Sequence, residues 1–418
     1  MSAYVIQGGE RLNGSVKIEG SKNAVLPILA ASLINGQKTT LYNCPDLKDV
    51  SVTLNILGLI GCKVERSSDR LVIDTSTLKT SEVPEKLVRE MRSSVIIMGA
   101  MLTRMKKVVL GYPGGCEIGI RPIDLHISSL RALGAKIIET GGYLYCEAEK
   151  IYGADINLDF PSVGATENIM LAAVSAEGTT IIRNAAREPE VVDLQNFLNA
   201  IGGRISGAGT NIIRIDGVKN FNPVEYSVIP DRIVAGTYLI MAAATNGDIE
   251  ITDIIPEHLS SILFKLKEAG CKLNVEKDRI QLLSPKRLKA VEAVKTLPYP
   301  GFPTDLQAPF LSLMTLASGT SVITENIFEN RLKHVGELIK MGAKITTEGR
   351  TAIVKGVKKL HGAKVDAKDL RGGAALITAG LTAEGETTVY DVQHIDRGYE
   401  LIDRKLQSLG AKIMKIND

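Results

Sequence analysis

Hydrophobic positions along this chain follow two alternating rhythms. Compact, alanine-rich apolar runs read as helices that pass into a strand: AVLPILAASLINGQKTTLYN, IMLAAVSAEGTTIIRN, RIVAGTYLIMAAATNGDIEIT, APFLSLMTLASGTSVITE and GGAALITAGLTAEGETTVYD. SSVIIMGAMLTRMKKVVLG is the second copy of the same pattern in chain order. After each comes a loop, a second helix and a short phrase in which an apolar helix end meets a strand: LIGCKVE, ALGAKII, AIGGRIS, EAGCKLN, KMGAKIT and SLGAKIM. Segments with period-two alternation follow as hairpin partners: RLVIDT, YLYCEA, IIRIDG, RIQLLS and TAIVKG. The glycines of the six phrases are Gly61, Gly134, Gly202, Gly270, Gly342 and Gly410, at intervals of 73, 68, 68, 72 and 68 residues. A helix end that turns directly into a strand calls for a left-handed residue, which glycine supplies.

Six βαβαββ units of about 70 residues therefore account for the 418 residues. The sixth has no hairpin partner, whereas residues 4–7 form a surplus strand ahead of a first unit starting at 14–19. The N-terminal strand is expected to complete the last unit, closing the chain on itself. An open solenoid would need polar caps instead. Six units exceed one core, so three per domain is the natural division. One domain is expected at 22–229, and the other at 230–418 together with 1–21.

Composition narrows the function. Hydrophobic residues make up 44% and charged residues 23%, and 50 basic against 47 acidic residues leave a net charge of only +3. That balance gives no electrostatic basis for nucleic-acid or membrane binding. The longest apolar stretch, 233–244, is too short to span a bilayer, and the N-terminal residues do not read as a signal peptide. Cys44, Cys62, Cys116, Cys146 and Cys271 are scattered and odd in number, which suits reduced thiols in a cytoplasmic protein. Neither a GxxxxGK[ST] nor a GxGxxG phrase is present, nor a Cys/His cluster with metal-ligand spacing. No cofactor or metal is expected.

Candidate chemistry sits at equivalent positions of the repeat. First helices begin near Lys22 and Asn23, Arg92, Ser162, Asp231 and Arg232, Asp305, and Asp369 and Arg371; second helices begin near Arg121, Arg187, Arg331 and Arg397. Asp or Ser there is ordinarily an N-cap. A cation at the positive end of a helix is disfavoured by some tenths of a kcal/mol and calls for an anion. Helix starts with arginine forks suit phosphate and carboxylate, so a small, strongly anionic ligand in an interdomain cleft is expected. Cys116 stands apart in YPGGCEIGIRP, a glycine-rich loop close to Arg121, where a cysteine is more reactive than one in a core.

The phrases GSKNAVLPILAA, PGGCEIGIRPIDLHI, SVGATENIMLAA, NAAREPEVVDL, PTDLQAPF, ENRLKHV, DLRGGAAL and HIDRGYE together resemble the enolpyruvyl transferases, over the whole chain. That resemblance implies a two-domain inside-out α/β barrel and transfer of the enolpyruvyl group of phosphoenolpyruvate to the 3-hydroxyl of UDP-N-acetylglucosamine, with release of phosphate. It implies Cys116 as proton donor and Asp305 as base, with Asp369 nearby. Lys22, Arg121 and Arg397 are implied at the phosphate of phosphoenolpyruvate, Arg331, Arg371 and Arg397 at its carboxylate, and Asn23 is also implied in binding it. Asn23, Arg92, Arg121, Pro122, Ile123, Asp124, Leu125, Ser162, Val163, Gly164, Asp305 and Ile327 would contact the nucleotide sugar. Cys116 further implies covalent inactivation by the epoxide fosfomycin. Two departures stand out: Phe160, where many members carry lysine, and Gly372–Gly373, which are expected to loosen the segment after Arg371. The alternatives are a transferase acting on a shikimate phosphate, a non-catalytic repeat scaffold and an RNA-end-processing enzyme. Cys116 and REPEVVD favour the nucleotide sugar over the shikimate ester.

Overall fold

The computed structural model describes residues 2–114, 118–119 and 122–416. Among them are six four-stranded sheets, one per repeat. Each sheet is assembled alike. A lead strand runs parallel to the strand that follows the first helix, that strand pairs antiparallel with the hairpin partner, and the Gly-Ala-Lys strand forms the far edge. All six phrase glycines have positive φ, between 93° and 110°, so the left-handed helix exit foreseen from the sequence is present in every unit.

The chain divides into two compact units. One contains residues through Glu19 and from Pro230 onward, together with Ile118 and Gly119; the other contains Gly20 through Gly114 and Pro122 through Ile229. In each, the first helices of three repeats form the centre. Lys22–Asn35, Ile97–Met105 and Val163–Ala173 pack together in one unit; Arg232–Ala244, Thr304–Met314 and Leu370–Thr382 pack together in the other. These helices are buried on nearly every side, which is why their sequences are apolar almost without interruption. The sheets cover them and bury one face only, hence the alternation in RLVIDT and its counterparts. Helices inside and sheets outside make each unit an inside-out α/β barrel.

The N-terminal strand Ala3–Gln7 lies between Glu386–Tyr390 and Lys412–Ile416, antiparallel to both, and supplies the missing hairpin partner of the sixth repeat. The first repeat is not built from its own leading segment, however. Strand Asn13–Lys17 pairs with Asp248–Thr252 of the fourth repeat, and Val224–Ser227 supplies the lead strand of the first. Each crossing of the chain thus hands its leading strand to the unit it is leaving. Hydropathy cannot show this, because both strands have the same pattern. Asp193 secures one crossing: its carboxylate accepts from the Tyr226 hydroxyl at 2.5 Å and from Ile229 N–H at 3.3 Å.

Among the described residues, Cys44, Cys62, Cys146 and Cys271 form no disulfide. Cys62 and Cys271 are buried at the alanine position of their phrases, and burial pushes their thiols up to about 11 and about 12. Neither is poised for chemistry.

Because Ile6 is fully buried, with its side chain over Gly380, Ile6→Ala is expected to cost about 2–4 kcal/mol in denaturant unfolding. A frayed terminal strand would give a change near zero.

Candidate active site

Asp305 and Asp369 start equivalent helices, yet their surroundings differ. Asp369 caps Leu370–Thr382, its Oδ1 accepting from the N–H groups of Arg371 and Gly372, both at 3.0 Å. Ser162 and Asp231 cap their helices in the same way. Asp305 lies inside the first turn of Thr304–Met314, after Pro303 at the cap position, so its carboxylate is left for other partners. Two arginines are among those partners. Arg331 Nη2 donates to Oδ1 at 2.5 Å, and Arg371 Nη2 approaches Oδ2 at 3.5 Å.

Both guanidinium groups are buried, at 3% and 2% exposure. Removing a charge from water costs several kcal/mol unless it is paired; Asp305 is shared by both cations, and the Asp231 charge also acts on Arg371. Aromatic faces add to their support: Arg331 lies 5.7 Å from the Phe328 ring centroid and Arg371 5.2 Å from that of Tyr399. Arg331 Nε and Arg371 Nε and Nη1 are nevertheless buried without an acceptor among the described residues. Buried donors in that condition mark a place for oxygen atoms of an anionic ligand.

Neighbouring residues fix this group. Glu325 is fully buried and accepts from Thr296, Thr304 and the N–H groups of Ile327 and Phe328, at 2.8–3.1 Å. It thereby ties the Ile327 loop to the start of the Asp305 helix. Ile118 accepts from Asn330 N–H at 3.0 Å at the edge of the same loop. Arg397 ends the 3-10 turn Val392–Arg397, which packs on the Leu370–Thr382 helix. Glycines permit that packing. A Cβ at Gly373 would come within 2.5 Å of Ile395, and one at Gly372 within 2.8 Å of the Asp369 carboxylate. The two glycines therefore tighten the segment after Arg371 instead of loosening it; the expectation considered flexibility but not close approach.

In the other unit, Lys22 opens its helix and its Nζ bonds Asp49 at 3.2 Å, with both side chains largely buried. Asn23 is half-buried one residue on. The turn Arg92–Ile96 packs on Val163–Ala173, the helix begun by Ser162, Val163 and Gly164. Gly164 faces His126, whose ring lies 3.1 Å from where a Cβ would stand, and His126 in turn contacts Asn168 at 3.0 Å. The Ser162–Gly164 backbone and the helix of Asp124 and Leu125 are thus neighbours; Pro122 and Asp124 are exposed and Ile123 is buried. Phe160 is exposed. Glu167 is fully buried near Glu188 and Glu190, and burial first, then those two charges, hold its carboxyl well above the ordinary range. Cys116 and Arg121 lie outside the described residues.

Sequence reasoning did not single out Asp49, His126, Glu325, His334 or Tyr399. His334 and Tyr399 lie inside the phrases ENRLKHV and HIDRGYE, three residues after Arg331 and two after Arg397. Asp49 and Glu325 carry no local signal.

A family profile described as EPSP synthase (3-phosphoshikimate 1-carboxyvinyltransferase) matches residues 6–406. The chain belongs to this family of enolpyruvyl transferases. Within it, the chain is 54% identical to UDP-N-acetylglucosamine 1-carboxyvinyltransferase 2 of Caldanaerobacter subterraneus subsp. tengcongensis, with 100% of both chains covered. It is 50% identical to UDP-N-acetylglucosamine 1-carboxyvinyltransferase 1 of Carboxydothermus hydrogenoformans, covering 100% of this chain and 99% of that one. Among solved structures, the enolpyruvyl transferase NikO from Streptomyces tendae superposes with a TM-score of 0.91 at 23% identity, over 100% and 99% of the two chains. EPSP synthase from Acinetobacter baumannii gives 0.74 at 19% identity over the full length of both. These two likenesses establish the fold.

His334 is fully buried beside Asp369 and Arg331, and burial pushes its imidazole down to about 4 from 6.5. Unfolding therefore takes up a proton between these values, so the stability tied to His334 is complete above pH 6.5 and is lost as pH falls towards 4. Relative to a His334→Gln variant, the wild type is expected to lose on the order of 2 kcal/mol between pH 7 and pH 4.5. Denaturant unfolding at the two pH values measures the difference.

Proposed function

We propose that this chain transfers the enolpyruvyl group of phosphoenolpyruvate to the 3-hydroxyl of UDP-N-acetylglucosamine, releasing phosphate, as a cytoplasmic enzyme at the first committed step of peptidoglycan precursor synthesis. The full-length similarity to named UDP-N-acetylglucosamine 1-carboxyvinyltransferases supports this choice over the shikimate ester. The observation that carries the chemistry is the pair of buried guanidinium groups around Asp305, with three donors still lacking an acceptor.

Before substrate arrives, the Asp305 carboxylate is the anion that Arg331 and Arg371 hold. The substrate carboxylate takes over the two arginines, with Arg397, and Asp305 is released to accept the proton of the sugar hydroxyl. Lys22, Arg121 and Arg397 hold the phosphate, and Asn23 also contacts phosphoenolpyruvate. The sugar oxygen bonds to C2 while Cys116 gives its proton to the methylene carbon. The Cys116 thiolate then takes a proton back from the resulting methyl group as the C2–O bond to phosphate breaks, which restores the double bond and the thiol, and the proton on Asp305 leaves with phosphate. Asp369 shapes this site through the helix it caps. Arg92, residues 121–125 and 162–164, and Ile327 line the nucleotide-sugar side.

Phosphate release from phosphoenolpyruvate with UDP-N-acetylglucosamine, and none with shikimate 3-phosphate, is the expected result. Release with the shikimate ester alone would reverse the assignment. Asp305→Asn should lower kcat about 100-fold or more, the usual range for loss of a general base. Fosfomycin should inactivate the wild type covalently and leave Cys116→Ala unmodified, as read by intact mass.

A further inference from the structure

Arg371 rests on the ring of Tyr399, and a directional chain of buried hydroxyls anchors that ring. Thr237, on the central helix Arg232–Ala244, bonds the Ile233 carbonyl at 2.8 Å through its hydroxyl. A threonine hydroxyl carries one proton, so Thr237 Oγ1 receives the contact from the Tyr399 hydroxyl, at 3.0 Å, as acceptor. The Tyr399 ring lies under the Arg371 guanidinium, 5.2 Å from ring centroid to the guanidinium carbon, so the hydroxyl bond to Thr237 fixes the aromatic face on which the arginine rests. Tyr399 and Thr237 are 2% and 1% exposed, and burial keeps the phenol protonated. Donation therefore runs from Tyr399 to Thr237 to the helix backbone. In such a chain each link polarises the next.

The segment carrying Tyr399 is itself held tightly. Gly398 has Leu370 within 2.7 Å of where its Cβ would stand, and Gly373 has Ile395 at 2.5 Å, so the turn lies flush against the helix that bears Arg371. Tyr399 N–H bonds the Ile395 carbonyl at 3.2 Å. An arginine has many rotamers to lose, and an anion site works best when that loss precedes binding.

We infer that Tyr399, anchored by Thr237, is a positioning residue that orients Arg371 toward the carboxylate of the three-carbon substrate. This rests on the reading of Arg371 as a carboxylate ligand. Tyr399 touches no reacting atom; it acts through the arginine, so its effect belongs to the binding of one substrate.

Steady-state kinetics by phosphate release, varying each substrate in turn, tests the inference. Tyr399→Phe keeps the ring and removes the hydroxyl, and Thr237→Val removes its acceptor. Each should raise KM for phosphoenolpyruvate about five- to tenfold, the effect of one lost hydrogen bond. KM for the nucleotide sugar should stay within twofold, and the double variant should be no worse than either single one. Thr237→Ser should restore the wild-type value. Tyr238→Phe is the control: Tyr238 is equally buried on the same helix, its hydroxyl has no hydrogen-bond partner among the described residues, and its loss should leave both KM values unchanged. Unchanged phosphoenolpyruvate KM in Tyr399→Phe and Thr237→Val, alongside a raised value in Arg371→Lys, would overturn the role of Tyr399. An unchanged value in Arg371→Lys would instead overturn the carboxylate assignment. Parallel loss of both KM values and thermal stability would mark Tyr399 as a core residue only.

Discussion

Two buried arginines sharing the Asp305 carboxylate set the terms for the candidate site around Asp305. Placing Arg331 and Arg371 out of water costs several kcal/mol each unless negative charge is close. Asp305 answers that demand in part, with each of its oxygens turned to a different guanidinium. Among the described residues, Arg331 Nε and Arg371 Nε and Nη1 keep no acceptor, and the aromatic faces of Phe328 and Tyr399 support the charge without competing for it.

The repeat supplies these parts cheaply in architectural terms. Each unit begins a buried helix at an equivalent point, so three helix starts per unit carry polar residues at the end of an otherwise apolar centre. Evolution of a site then requires only different residues at matching positions. Ser162, Asp231 and Asp369 retain the ordinary capping role. Asp305 sits inside the helix after a proline at the cap position, and escapes it. Two steps in register separate a carboxylate at the cap position, as in Asp369, from that of Asp305, which reaches arginine side chains instead.

Most of the architecture was legible because the signals are local and repeated. Alanine-rich runs, six glycine phrases and alternating partners specify helix, exit and hairpin without knowledge of any neighbour. The unpartnered last repeat even pointed to the N-terminal strand as its completion, and Ala3–Gln7 fills that place. The ownership of the lead strands was not legible. Asn13–Lys17 serves the fourth repeat and Val224–Ser227 the first, because pairing across a crossing depends on where the chain turns and not on the hydropathy of either strand.

For the site, sequence alone determined the candidate cations and carboxylates, since a charge placed at the end of an apolar helix is visible in one dimension. Resemblance to the enolpyruvyl transferases assigned them roles. Tertiary structure decided which of these groups share an electrostatic field: Asp305 with Arg331 and Arg371 across 26 and 66 residues of sequence, and Lys22 with Asp49 across 27. It also decided what Gly372 and Gly373 do, since close approach is a property of two surfaces and one sequence segment describes only one of them. Tyr399 and Thr237 make the same point. They are 162 residues apart, each unremarkable in its own helix or turn, and their hydroxyls meet only after folding. Local propensity reads along the chain, whereas Coulomb and hydrogen-bond energies depend on distances that folding alone creates.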